Sequence, residues 1–262
     1  MLKKLMKYEM PAAGRKLLPL YGALLAAAVM LGIMLRSGDY LDGIPFMMVI
    51  FAMLYSCVAT AVVVMTFVVI IQRFNQGLLG DGGYFNLALP VRMDTHLWNK
   101  TLTAGIWTLF AGFVGVLSAL IVAGIAGGLD LSPLLEIFTN GFKFFIEVFV
   151  IFLEMLIVLF AAGCKLALQI YTAITIGHQA KHRKGLCSFG AYCGIVFFEG
   201  IIGTVALNTG IQHYFMEFLR NIREGFWQVS VAMITIFAIT AAFCALYFLI
   251  TEKQLNTRLN LQ

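Results

Sequence analysis

The chain has 262 residues, 61% of them hydrophobic and only 12% charged, with a formal net charge of +5. Its mean hydropathy of +0.92 excludes a soluble globule, which carries about twice that charged fraction. The basic excess follows membrane topology and anionic lipid rather than nucleic acid.

Six apolar runs organise the chain: Leu17–Leu35, Ile44–Ile71, Leu102–Ala126, Phe144–Ile176, Ser188–Leu207 and Phe226–Ile250. About 20 apolar residues cross a bilayer core as a helix. Backbone groups in lipid must be satisfied within the segment, so each run is predicted helical. The expected fold is an all-α polytopic membrane protein of six transmembrane helices, one domain over residues 1–262.

Ahead of the first run, Leu2, Leu5 and Met6 repeat at helical spacing, with Lys3, Lys4 and Lys7 between them. That pattern predicts a short basic amphipathic elbow helix in the headgroup layer. Pro11 and Gly14 are expected to break the chain after it. Basic residues before an apolar stretch also mimic a signal peptide. The stretch is of full membrane length and five more follow, which argues for a retained span.

The second run is expected to continue past Arg73 and loosen at Gly77 and Gly80. Asp81 can then N-cap a short helix that Pro90 ends. Its apolar residues Tyr84, Phe85, Leu87 and Leu89 are too few to span. Two placements are open to it: flat on the membrane surface, or docked as a knob into a groove of a soluble partner. The glycines from Gly77 to Gly83 lack the Lys and hydroxyl of a phosphate loop. Asp94 can N-cap the helix entering the third span.

The fourth run is long, about 50 Å as a helix. It carries Glu147, Glu154 and Lys165, which a 100° turn per residue brings to one face. Ionisable groups at membrane depth face a bundle interior, an aqueous path or a partner, unless they snorkel to an end. Glu154 and Lys165 lie about 16 Å apart along the axis, too far for one salt bridge. Glu199, alone in the fifth run, is a lesser case of the same kind.

His178 and His182 are four apart in a basic loop, with no third metal ligand nearby. Between the fifth and sixth runs, Tyr214, Phe215, Phe218, Leu219 and Ile222 form one face of an amphipathic helix. The five cysteines show no metal or redox spacing and read as small apolar residues. No catalytic residue, bound cofactor or metal is expected.

Lys3, Lys4, Lys7, Arg15 and Lys16 precede the first run. Arg73, Arg92 and Lys100 fill the second gap, Lys181, Arg183 and Lys184 the fourth, and Lys253 and Arg258 the tail. The other gaps hold only Arg36, Lys143, Arg220 and Arg223. The positive-inside rule therefore places both termini in the cytoplasm, with the bacterial inner membrane as the expected location.

The opening Leu5-Met6-Lys7-Tyr8-Glu9-Met10, with Gly14 to Tyr21, resembles that of ABC-2 type (type V-like) permeases of Firmicutes. Arg73-Phe74 through Asp81-Gly82-Gly83-Tyr84, with Leu87-Ala88-Leu89-Pro90-Val91, resembles their first cytoplasmic loop. Leu255-Asn256 and Leu259-Asn260-Leu261 resemble their tail. The resemblance implies half of an exporter. A second permease copy or a sibling would complete the pathway, and two ATPase subunits would bind ATP and Mg. It makes Asp81–Leu89 the coupling helix, with Asp81, Gly82, Tyr84, Phe85, Leu87 and Leu89 on the ATPase. Gly82 stands where family members often have an acidic residue, which weakens one polar contact and leaves the knob intact. Small size and the polar face of the fourth span are most similar to exporters of amphipathic peptides such as the phenol-soluble modulins. Lipid-linked or small hydrophobic cargo, or a non-transporting assembly or sensor subunit, are the competing readings. An intramembrane enzyme is disfavoured, because the spans offer three acidic residues and Lys165 but no His partner.

With native cysteines removed, single cysteines at Lys184 and Arg220 are expected to label from opposite sides of the membrane. Labelling from one side would overturn this topology.

Overall fold

The computed structural model describes residues 2–38, 45–79, 93–127, 142–180, 183–209, 213, 216–217 and 225–258. Among them the regular structure is helical and no strand occurs. The helices are α1 (Leu2–Gly38), α2 (Pro45–Phe74), α3 (Met93–Ile125), α4 (Phe142–Gly177), α5 (Lys184–Asn208) and α6 (Gly225–Arg258). Six helices are long and apolar enough to cross a membrane, so this is a multi-pass membrane protein.

The helices outrun the apolar runs that nucleate them. α3 begins nine residues before Leu102, and α6 continues eight residues past Ile250. Asp94 lies in the first turn of α3 rather than ahead of it, where it still faces the positive end of the helix dipole. Beyond Phe74 the backbone passes into a π-helical turn, Asn75–Leu79, centred on Gly77.

α1 corrects the sequence reading most clearly. Pro11 and Gly14 predict a break after the amphipathic segment, yet one helix runs from Leu2 to Gly38 with Pro11 and Pro19 inside it. Proline removes one backbone donor each time, and packed membrane helices tolerate that loss. Gly14 serves close packing instead. A Cβ there would stand 3.0 Å from the Trp107 ring.

The chain divides into two compact units, residues 1–72 with 106–142, and residues 73–105 with 143–262. In the first, Ala13, Leu17, Tyr21 and Leu24 of α1 pack with Val62 and Val69 of α2 and Trp107 of α3. The Tyr21 hydroxyl donates to the Trp107 carbonyl at 3.4 Å, and Tyr55 and Ser118 share a 2.9 Å hydrogen bond. In the second unit, Phe74 stacks on Tyr171 with ring centroids 4.0 Å apart. Tyr171 donates to the Lys100 carbonyl at 3.4 Å. α3 approaches α4 at Gly105, where a Cβ would come within 2.5 Å of Cys164 Sγ.

Two glycines of the second unit test this packing. A Cβ on Gly177 would overlap the Ser188 hydroxyl and backbone nitrogen, whereas one on Gly194 meets open space. Gly177→Ala is expected to destabilise the folded protein by about 1–3 kcal/mol, as overpacking does. Gly194→Ala should be near neutral. Equal unfolding temperatures for the two variants in detergent would contradict the α4–α5 approach.

Candidate functional site

α4, α5 and α6 are apolar over most of their length, so their polar side chains stand out. Lys165 lies 12 residues before the end of α4 and Glu199 lies 15 residues into α5. At 1.5 Å per residue these are about 18 and 22 Å from the connection, closely matched in depth. The Lys165 ammonium donates to Glu199 Oε2 at 2.8 Å. The two side chains are 22% and 18% exposed, so water screens the pair only partly. Tyr247 of α6 donates its hydroxyl to the other carboxylate oxygen, Glu199 Oε1. The ammonium also sits 5.3 Å from the centroid of the Phe243 ring, also on α6.

The polar contacts continue along α4 and α6. Thr172 Oγ1 and Thr251 Oγ1 lie 2.8 Å apart. Thr251 donates to the Tyr247 carbonyl at 2.8 Å, which leaves its oxygen to accept from Thr172, and Thr172 Oγ1 lies 3.4 Å from the same carbonyl. Further up the seam the Cys244 thiol donates to the Ala161 carbonyl at 3.6 Å. Glu199 thus ties three spanning helices together. A lone charge at the bilayer centre costs about 2.5–3.5 kcal/mol, and pairing offsets part of that only while both partners remain.

The other predicted residues fall differently. Glu154 shares the face of Lys165 but not its pair, and its Oε2 is buried with no hydrogen-bond partner among the described residues. Glu147 makes an interaction of its own. Asp81, Gly82, Tyr84, Phe85, Leu87 and Leu89 lie outside the described residues. So does most of the expected outer amphipathic helix, of which His213, Met216 and Glu217 are described, all helical. His178 Nδ1 lies 3.1 Å from the Ile174 carbonyl, and His182 is outside the described residues. Among the described residues no three His, Cys, Asp or Glu side chains gather as metal ligands.

Sequence reasoning treated Lys165 and Glu199 separately and missed Tyr247. The depth match of two opposite charges in consecutive spans was an available signal for the ion pair. Nothing in the pattern of α6 singles out Tyr247 from other tyrosines in apolar runs. No protein-family model matches the chain, and neither a curated protein nor a solved structure is found similar to it.

A double-mutant cycle measures the pair. Lys165→Met and Glu199→Gln are each expected to destabilise the bundle, and the double variant less than their sum. The coupling should be about 1–2 kcal/mol, the upper range for polar pairs in membranes. Strict additivity in a detergent or nanodisc unfolding titration would mean that the pair contributes nothing.

Proposed function

We propose that this chain is the permease subunit of an ATP-driven exporter that moves an amphipathic or hydrophobic peptide out of the cell. The observation that carries the transport reading is the Lys165–Glu199–Tyr247 cluster. Three spanning helices of apolar composition hold an ion pair and a phenol at matched depth. Ionisable groups at membrane depth are rare and mark substrate or ion pathways, a role that goes beyond the joining of helices.

The energy source follows from the resemblance at residues 73–91. Two cassette ATPase subunits, each holding ATP and Mg, bind beneath two permease copies. The chain performs no hydrolysis itself. Asp81–Leu89 is the coupling helix, with Tyr84 and Phe85 as its anchors. Approach of the cassettes pushes on this segment, and the force enters α2 and α3, the helices on either side of it. The two permease copies then close alternately towards the inside and the outside. Both termini are cytoplasmic, in the inner membrane of a bacterium. Glu147, Glu154, Lys165 and Glu199 line the cargo path or the face between permease copies.

Changing Tyr84 and Phe85 together to Ala should loosen the ATPase, since truncated interface aromatics often cost about 2 kcal/mol or more. Insertion should be unaffected. Undiminished co-purification of the cassette with this variant would remove the docking assignment.

In nanodiscs holding permease and cassette, amphipathic peptides are expected to stimulate ATP hydrolysis. The Lys165→Leu, Glu199→Leu double variant keeps no orphaned charge and should lose that stimulation while retaining the cassette. Stimulation by lipid-linked or small hydrophobic compounds alone would change the cargo. A chain that binds no ATPase would be an assembly or sensor subunit.

A further inference from the structure

Among the described residues, Glu154 Oε2 of α4 and Ser230 Oγ of α6 are buried without a hydrogen-bond partner, as is Gln254 Oε1 near the end of α6. Ser230 is only 4% exposed. Serines in helices ordinarily turn the hydroxyl to a carbonyl one turn back, as Thr235 does to Val231. Ser230 does not.

The register of α4 and α6 brings Glu154 and Ser230 towards one another. Ala161 meets Cys244 and Thr172 meets Thr251, so the helices run parallel with these faces in contact. Glu154 is seven residues before Ala161, and Ser230 is fourteen before Cys244. At 100° per residue they fall about 20° and 40° from the contact direction, both on the seam. The Thr172–Thr251 pair spans 79 residues. On that register Ser230 lies level with position 151, three residues before Glu154. Helical side chains lean towards the N-terminus of their helix, and the longer Glu154 side chain leans further than that of Ser230, which brings its carboxyl towards the level of the hydroxyl.

We infer that Glu154 and Ser230 form a binding site for a primary ammonium group borne on an apolar body. Each residue carries one buried oxygen with no partner among the described residues, and helical periodicity places both residues on the seam. An ammonium is a compact donor of three N–H groups and satisfies both at once. A guanidinium, with its planar fork, is best met by both oxygens of one carboxylate. A divalent cation needs six or more oxygen ligands, and no cluster of metal-ligating side chains exists among the described residues. Leu153 and Met155, exposed on the flanks of Glu154, offer apolar surface to the rest of the molecule. The ammonium has two sources, a lysine of a peptide or the headgroup of an aminophospholipid. That a peptide lysine marks the cargo rests on the export reading above, whereas the site itself does not.

Binding to the full chain in phosphatidylcholine nanodiscs, with no ATPase present, tests the site. The probes are a fluorescent amphipathic leucine–lysine peptide and its fully Nε-acetylated form, each referenced to empty nanodiscs. Wild type is expected to prefer the free-lysine peptide about tenfold. Glu154→Gln should erase the preference and Ser230→Ala should reduce it. Adding phosphatidylethanolamine separates the sources. Competition in wild type but not in Glu154→Gln assigns the lipid headgroup, and no competition assigns the peptide. A preference that survives Glu154→Gln overturns the site, as does a wild type with no preference for peptide or lipid ammonium. Should Glu154→Gln unfold, Glu154→Asp, which shortens the reach to Ser230, must still lower the preference. Failure of cassette binding sinks the export reading and leaves this measurement standing. Loss of the ammonium preference with the cassette still coupled sinks only the site.

Discussion

Lipid offers the backbone no hydrogen bonds, and the rest of this structure depends on that constraint. Every peptide group at membrane depth must find its partner within its own helix. The chain therefore crosses as long helices, and they keep their form through Pro11 and Pro19. In water such prolines would end or kink a helix. In α1 the flanking residues Ala13, Leu17 and Tyr21 are buried against α2 and α3, and packing holds the segment together.

Because lipid is as apolar as the side chains, burial of leucine drives little association between such helices. Close approach and polar contacts decide the packing instead. Gly14 admits the Trp107 ring, Gly32 admits Ile125, and Gly105 admits Cys164. Hydroxyls and thiols find backbone carbonyls across helices, as Tyr21, Tyr171 and Cys244 do. Many large apolar side chains of α2, α5 and α6 stay exposed, as expected where the solvent is hydrocarbon.

The polar seam of α4 and α6 combines satisfied and unsatisfied groups. Lys165, Glu199, Tyr247, Thr172 and Thr251 complete one another within a single unit. Glu154 and Ser230 do not. A satisfied buried network rigidifies what it joins. The unsatisfied pair has unmet hydrogen-bonding capacity, which an incoming donor can fill. The same seam thus provides both a fixed joint and a place for a ligand.

Hydropathy and charge by themselves determined the six helices and the membrane as solvent, since both follow from composition along one segment at a time. The excess of basic residues in alternate gaps is likewise local. The face shared by Glu154 and Lys165 was legible from helical periodicity alone. The role of Gly14 was not, because a glycine that breaks a helix and one that admits a ring look alike until the neighbouring helix is placed. Only the tertiary structure decided that Lys165 finds Glu199, that Tyr247 completes that carboxylate, and that one Glu154 oxygen is buried without a hydrogen-bond partner among the described residues. These depend on the rotation and depth of one helix against the next. A rotation of a few tens of degrees leaves every helix unchanged and alters every partner.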